Sequence, residues 1–264
     1  VIVQVRTAIG ADYDAYLRLF PELGVDEGTP SRERFDSDLS RRMLVADDGT
    51  GVVGYLLYDL MDGTGYVRNI VSDPAHRRAG IGAALMETAR DRFAGGGATT
   101  WCLNVKASNR PAIGLYEKFG MRLHYRTTMM RLPRETALPA ADPAIALVQV
   151  PPATDAIVER AFQLLPGQLA SARAKAGRTT VQLVRGPEVL GVGVFMAAIP
   201  GSFPFRVVAP EYAATFMTLL RPLAVETATF LQVSAENDAA LAAQVQQLGA
   251  YVHLELLHMH GALT

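Results

Sequence analysis

Residues 71–83 read Val-Ser-Asp-Pro-Ala-His-Arg-Arg-Ala-Gly-Ile-Gly-Ala, with Arg77 and Arg78 just ahead of Gly80 and Gly82. A strand-like run precedes this stretch and a helix-like run comes after it. A helix start exposes unpaired N–H groups and the positive end of the helix dipole. Glycines let a bulky anion approach that backbone, and arginines add charge. The combination suits a pyrophosphate group. A Walker loop is excluded because no Gly-Lys-Ser/Thr comes next. A dinucleotide fingerprint fits poorly, since the glycine spacing differs and no acidic residue ends the next strand. The competing reading is a glycine-rich turn whose arginines face solvent.

The flanking elements must position this loop. VIVQVR reads as a short strand, and Tyr13, Tyr16, Leu17 and Phe20 fall on one face of a helix ending near Pro21. Arg41–Ala46 and Val52–Tyr58 form a strand pair turned by Asp48-Gly49, and Gly65–Val71 is the next strand. Ile81, Leu85, Met86, Ala89 and Phe93 keep helical spacing until Gly95-Gly96-Gly97. Thr99–Val105 is a strand, Asn109–Phe119 a helix with Pro111 in its first turn, and His124–Leu132 a strand.

These residues resemble the GCN5-related N-acetyltransferases, the GNAT superfamily. Arg77-Arg-Ala-Gly80-Ile-Gly82 is similar to the family's R/Q-x-x-G-x-G/A loop in its V-x-x-P-x-x-R setting. Asn109-Arg-Pro-Ala112-Ile-Gly-Leu115-Tyr116-Glu-Lys118-Phe-Gly120-Met121 resembles N-x-x-A-x-x-L-Y-x-K-x-G-F, with Met121 replacing the aromatic residue. The resemblance covers roughly residues 2–132. It implies acetyl-CoA lying in a V-shaped gap between the strand ending at Val71 and the one ending near Asn104. Backbone groups around Asn69, Ile70 and Val71 would hold the pantetheine arm and thioester. Amides of Arg78, Ala79, Gly80, Ile81, Gly82 and Ala83, with the Arg77 and Arg78 side chains, would hold the pyrophosphate. Asn104, Asn109 and Ala112 would line the cosubstrate site, Asn109 either touching pantetheine or fixing the loop. Tyr116 matches the tyrosine that protonates the departing thiolate; the alternative for it is helix packing. A phenol near pKa 10 suits that proton transfer.

An attacking alkylammonium must also lose a proton. Asp59, Asp62 and Glu22 are candidates for the base, but each reads first as a solvated surface acid, and no base is singled out. His76 would face solvent or phosphate.

Near Pro133 the texture changes to a proline- and alanine-rich linker, residues 134–146. The chain beyond the linker echoes the first half. Val3-Gln-Val5 returns as Val148-Gln-Val150, and Leu103-Asn-Val-Lys-Ala-Ser-Asn109 as Leu231-Gln-Val-Ser-Ala-Glu-Asn237. Leu17–Leu23 is echoed by Phe162–Leu169, and Phe119-Gly120 by Leu248-Gly249. A tandem duplication accounts for these echoes, dividing the chain into 1–133 and 147–264. The expected fold is α/β in an α+β layering: two tandem GNAT-like domains, each a mixed, mostly antiparallel sheet flanked by helices. The second half lacks the arginine–glycine loop: Pro210 stands near the counterpart of Pro74, with Glu211 and Tyr212 next, and Gln244 falls at the counterpart of Tyr116. It reads as a degenerate copy that closes the cleft, supports the first domain or forms a dimer. His253, His258 and His260 raise a metal site, but His258-Met-His260 alternates as a strand does, so packing or exposure is expected and no metal.

The 264 residues are 50% hydrophobic and 19% charged, with a net charge of −1, which argues against a nucleic-acid binder. Cys102 is the single cysteine and lies in an apolar run, so a buried, inert thiol is expected and no disulfide. The apolar run at Val189–Ile199 is too short for a bilayer and no signal peptide is legible, giving a cytoplasmic expectation. The resulting expectation is an acetyltransferase acting on a small primary amine by direct attack through a tetrahedral intermediate. Two other readings stand: a non-catalytic acyl-CoA sensor, and a tandem enzyme acting on the amine of a small thiol conjugate.

Overall fold

In the computed structural model of this chain, residues 3–25, 28–197 and 199–263 are described, and the strand-forming runs of the first half build one meander. β1 (Gln4–Thr7), β2 (Met43–Asp47), β3 (Val52–Met61) and β4 (Thr64–Ser72) pair antiparallel in that order. β5 (Thr100–Lys106) then joins β4 in parallel. Parallel strands need a long crossover, and α3 (Ile81–Gly95) supplies it. The remaining elements here are α1 (Tyr13–Leu19), the single turn α2 (Arg32–Arg34), α4 (Arg110–Lys118) and β6 (Arg122–Pro133). Val1 and Ile2 of the expected first strand lie outside the described residues.

Each hairpin is set by its turn. Asp48 accepts the N–H groups of Thr50 and Gly51 at 2.9 and 3.2 Å, and Gly49 takes φ +90°. The two sheet faces are filled differently. On one, Tyr16, Phe20 and Phe35 pack against Tyr55, Leu57 and Val71, with Tyr16–Phe35 and Tyr16–Tyr55 ring centroids both 5.2 Å apart. On the other, α3 lies so close that a Cβ at Gly65 would sit 2.3 Å from the Phe93 ring. Sequence periodicity missed the helical stretch 32–42. Only Phe35 and Leu39 are apolar at helical spacing there, and the stretch passes from Ser31-capped α2 into a wide π turn, Phe35–Leu39.

The second half repeats this order: β7 (Ala146–Gln149), α5 (Asp155–Ala161), α6 (Gln168–Arg173), β8 (Arg178–Arg185), β9 (Glu188–Met196), β10 (Gly201–Val207), α7 (Tyr212–Leu220), β11 (Phe230–Glu236), α8 (Ala239–Gln247) and β12 (Tyr251–Ala262). β7 to β10 pair antiparallel in sequence, and β10 pairs with β11 in parallel. Phe205 and Phe216 stack at 4.8 Å in its core. The expected α/β architecture, a mostly antiparallel strand meander with one parallel crossover and flanking helices in each half, is thus present, though the strands are hydrogen-bonded as one twelve-stranded sheet where two were expected.

Compactness groups the residues in a way that linear order does not show. One unit is formed from Val1–Val105, Asn109–His124 and His258–Thr264, the other from Lys106–Ser108 and Tyr125–Leu257. The last residues of β12 therefore belong to the first unit, where Leu263 N–H reaches Thr99 O at 2.9 Å. Gly261 is required there, because a Cβ would fall 2.8 Å from Trp101 Nε1. No helix among the described residues is long and apolar enough to cross a membrane.

Candidate active site

A register break opens the site. β4 matches β5 from Thr64↔Thr100 to Val67↔Leu103, and the pairing ends there. On the other side of β4, Leu57 pairs with Asn69 and Tyr58 with Val67, so Arg68 is an extra residue at a bulge. Bulges bend a strand and sharpen its twist, so beyond Val67 the two strands part, with Arg68–Ser72 on one side and Asn104 on the other.

The free backbone in that split is set by alternation. Asp73 N–H donates to Val53 O at 2.8 Å, and the register continues Ser72↔Gly54, Val71↔Tyr55, Ile70↔Leu56, Asn69↔Leu57. In an antiparallel pair every second residue exchanges both hydrogen bonds with its partner. Asn69 and Val71 therefore spend their backbone groups on β3, while Ile70 and Ser72 point theirs toward β5. The edge that faces β5 is thus Ile70 and Ser72, where Ile70 and Val71 were expected, and residue type gave no reason to choose Ser72. Parity depends on the register and has no signature in residue type.

The loop of eight residues, 73–80, ends β4 and starts α3. Asp73 caps its first turn by accepting Ala75 N–H at 2.9 Å. Arg78 has φ +65° and Gly80 φ +84°, two left-handed residues in three. The non-glycine one costs about 1 kcal/mol, which marks this as a loop shaped for something other than a simple reversal. Ala79 N–H is spent on His76 O at 3.3 Å. The first helical bond is Ala84 N–H to Gly80 O, so the N–H groups of Gly80, Ile81, Gly82 and Ala83 have no intrahelical acceptor. A Cβ at Gly80 would meet open space, so that glycine serves its φ angle and leaves room beside the N–H cluster. Gly82 does another job: its Cβ would lie 3.0 Å from Leu115 Cδ2 and 3.9 Å from Ile70 Cδ1. Loop, strand split and α4 thus converge on one point.

α4 begins at Asn109, whose side chain accepts Ala112 N–H at 3.3 Å. Of its two expected roles, this geometry serves loop fixing. Tyr116, one residue past Leu115, is buried, and burial pushes its phenol above its ordinary pKa of 10.0. It stays protonated at any working pH. Cys102 is buried too, its thiol pushed up to about 12, as an inert cysteine should be.

The acids and basic residues are less free than expected. Asp59 is no solvated surface acid: it is buried, with Arg42 Nη1 and Arg68 Nε each 2.5 Å from its oxygens. Two guanidinium groups hold it as a charge anchor. Asp59→Asn leaves both arginines with a neutral partner, and the expected cost is about 1–3 kcal/mol, read as a lower urea midpoint at unchanged m. Asp62 is exposed at the β3–β4 turn beside Gly63, the far end of the hairpin from Ser72. Glu22 pairs with Arg77 at 2.7 Å, which ties that arginine to the α1 side while leaving 58% of its side chain accessible. His76 lies 3.5 Å from Asp48 and 3.7 Å from Asp73, facing carboxylates rather than the N–H cluster. Asp26 and Glu27 of the 22–31 loop lie outside the described residues.

Asn104 is doubly engaged. Its Nδ2 donates to Tyr66 Oη at 2.7 Å and its Oδ1 lies 3.0 Å from His258 Nδ1. His258 is buried, and the His124 ring sits 6.1 Å from it and 5.9 Å from His260. No group of three or more His, Cys, Asp or Glu residues among those described is arranged to hold a metal ion.

The second unit closes the equivalent places. β10 and β11 match only at Gly201↔Gln232 and Ser202↔Val233 before they part. Phe205 N–H then donates to Ser234 Oγ at 3.1 Å, and the Arg206 guanidinium to Glu236 O and Oε2 at 3.0 and 2.9 Å. Ser234 of β11 and Arg206 of β10 thus occupy backbone groups that the split would offer. The loop before α7 has four residues, 208–211, and Tyr212 and Ala213 N–H groups are spent on Ala209 and Pro210 O. Glu211 adds negative charge at that place.

The model of the Acetyltransferase (GNAT) family matches residues 12–121. The [Ribosomal protein bS18]-alanine N-acetyltransferase of Escherichia coli (strain K12) is 42% identical over 66 residues, 23% of this chain and 45% of that relative. The chain thus spans about half the length of that curated relative. Among solved structures, a GCN5-related N-acetyltransferase from Sphaerobacter thermophilus superposes with TM-score 0.66 at 16% identity, over 99% of this chain and 96% of the other. A tandem GNAT protein from the clavulanic acid biosynthesis pathway gives TM-score 0.65 at 17% identity, over 100% and 99%. These two likenesses carry the fold.

Proposed function

We propose that this chain, whose residues 12–121 carry a domain of the acetyltransferase (GNAT) family, moves an acetyl group from acetyl-CoA to a primary amine at the β4–β5 split of its first unit. The observation that carries the reading is the convergence at Gly82, where the free N–H cluster of α3, the Ile70 edge of the split and the Tyr116-bearing helix meet. The pyrophosphate fits the N–H groups of Gly80–Ala83, with the exposed Arg78 and the accessible part of Arg77 adding charge. The pantetheine arm runs past Ser72 and Ile70 down the split. From Ser72 to the apex at Val67 is five residues, roughly 16 Å, so the thioester arrives near Asn104.

The amine nitrogen then forms a bond to the acyl carbon, the C–S bond breaks, and the electron pair leaves on sulfur. Tyr116 passes its phenolic proton to that sulfur, releasing the free thiol. The second unit, its split bridged by Ser234 and Arg206, takes no acyl-CoA. We read the two halves as products of a tandem duplication.

Calorimetric titration with acetyl-CoA tests the reading. One site per chain is expected, with thiol release on adding a panel of primary amines. Two sites would overturn the closed second unit, and no binding would overturn the acetyltransferase assignment. Binding with no thiol release from any amine would favour an acyl-CoA sensor.

A further inference from the structure

We propose that Arg68 holds a carboxylate of the acceptor, so that the amine acetylated here belongs to an amino acid or another small molecule carrying both groups. This rests on the acetyltransferase reading above and names the substrate class for the same split. Arg68 is the extra residue at the bulge where β4 leaves β5, which puts it at the apex of the split. Its guanidinium is fixed in two ways. Nε donates to Asp59 Oδ2 at 2.5 Å, and the guanidinium carbon lies 5.1 Å from the centroid of the Tyr66 ring. That ring is itself held, since Tyr66 Oη accepts Asn104 Nδ2 at 2.7 Å. Asn104, where the thioester arrives in this reading, and the Arg68 guanidinium are thus linked through a single phenol ring. A small molecule whose amine and carboxylate stand a few bonds apart spans that separation. The cluster also lies on the right face. Asp59 and Tyr66 pair across β3 and β4 and share the face on which Tyr16 and Phe35 pack, while α3, whose start takes the pyrophosphate, packs on the other.

Donor accounting separates Arg68 from the arginine beside it. Arg42 commits Nε and Nη2 to Asp38 and Nη1 to Asp59, so its whole fork is used inside the fold. Arg68 commits only Nε. Its Nη1 and Nη2 have no hydrogen-bond acceptor among the described residues, and 26% of its side chain is accessible. A guanidinium offers five N–H donors in one plane, and the edge formed by its two Nη groups matches the two oxygens of a carboxylate. Asp59 and Tyr66 fix that plane before a ligand arrives, so little side-chain freedom is lost on binding. Charge narrows the ligand further. The charges of Asp38, Asp59, Arg42 and Arg68 cancel. An acceptor with one ammonium and one carboxylate keeps the balance, whereas a polyamine or an amine bearing a phosphate upsets it.

Matched acceptors test this on the full chain at saturating acetyl-CoA, with thiol release as the readout. The probes are the common α-amino acids, β-alanine and γ-aminobutyrate, each against its carboxamide, which keeps the amine and removes the charge. At least one acid is expected to exceed its amide in kcat/KM by about 10- to 100-fold, both referred to the unprotonated amine, the range for hydrogen bonds to a charged group. Arg68→Gln abolishes the preference and leaves the acetyl-CoA dissociation constant within about twofold. Arg68→Lys keeps a charge beside Asp59 but has no fork, so it too loses most of the preference. The wild-type ratio decides even where a variant fails to fold, because an arginine that only neutralises Asp59 gives no preference for acids. Amides turned over as fast as their acids overturn the proposal. So does a preference that survives in Arg68→Gln, or no turnover of any acid while calorimetry shows acetyl-CoA bound. Failure of acetyl-CoA to bind brings down the acetyltransferase reading instead, and this acceptor class with it.

Discussion

Gly82→Val lowers the affinity for acetyl-CoA by at least about 100-fold, close to 3 kcal/mol, while the chain stays folded. The size of the loss is set by where the new atoms go. A Cβ at residue 82 already touches Leu115 Cδ2 at 3.0 Å and approaches Ile70 Cδ1 at 3.9 Å. Two further methyl groups must displace α4, or the Ile70 edge of the split, or cover the N–H groups of α3. Each outcome damages the acyl-CoA slot. Gly80→Ala is the milder change: its Cβ meets nothing within 4 Å, so the cost is the left-handed φ, about 1 kcal/mol and roughly fivefold in affinity. A double-mutant cycle separates packing from anion approach. If Gly82 serves the close contact, Leu115→Ala restores most of the affinity lost in Gly82→Ala. If the anion needs the bare backbone, no rescue occurs. Calorimetry reads both, with circular dichroism as the folding control. Wild-type affinity in Gly82→Val would remove the pyrophosphate from this loop.

Much of that loop was legible because its chemistry is local. Glycines at left-handed angles, a proline-set turn and an uncapped helix start all act over a few residues, so 71–83 and 109–121 announce themselves in residue type. The strand order of the first unit was equally open to reading, since Asp48-Gly49 fixes one hairpin and the α3 crossover fixes the parallel pair. The features that stayed hidden depend on register and on distant partners. Arg68 looks like any strand residue until β3 shows it to be the bulge that opens the split. Ser72 became a backbone donor through parity alone. Asp59 looked like a surface acid because nothing in residue type pairs it with Arg42 and Arg68, which neutralise it across the fold. His258 lies 154 residues from Asn104, and only the regrouping of residues 258–264 with the first unit brings them together. The absence of the arginine–glycine loop from the second half was visible in the sequence. The closure of that half by Ser234 and Glu236 was not, since neither residue type forbids a ligand.

Tyr116→Phe lowers kcat about 10²–10³-fold and leaves the acetyl-CoA dissociation constant within about twofold. The ring keeps its packing in α4, so only the proton donor is lost. Burial raises the phenol above 10.0, which has two consequences of definite sign. The resting enzyme carries the proton throughout the working range, so the rate ratio between wild type and variant stays constant from pH 7 to about 9. A raised folded-state pKa also favours the protonated, folded protein. That stabilisation is complete below the unfolded value near 10 and is lost as pH rises toward the folded one, at up to about 1.4 kcal/mol per pH unit. Urea midpoints above pH 10 therefore fall less steeply in Tyr116→Phe than in wild type. Part of the slope remains, because Tyr55, whose buried hydroxyl has no hydrogen-bond partner among the described residues, is raised by burial in the same sense. A variant that changes acetyl-CoA affinity while keeping kcat would make Tyr116 a packing residue. Loss of kcat at constant affinity, with the shallower alkaline slope, identifies one buried phenol as both the acid of the reaction and a measurable part of the fold.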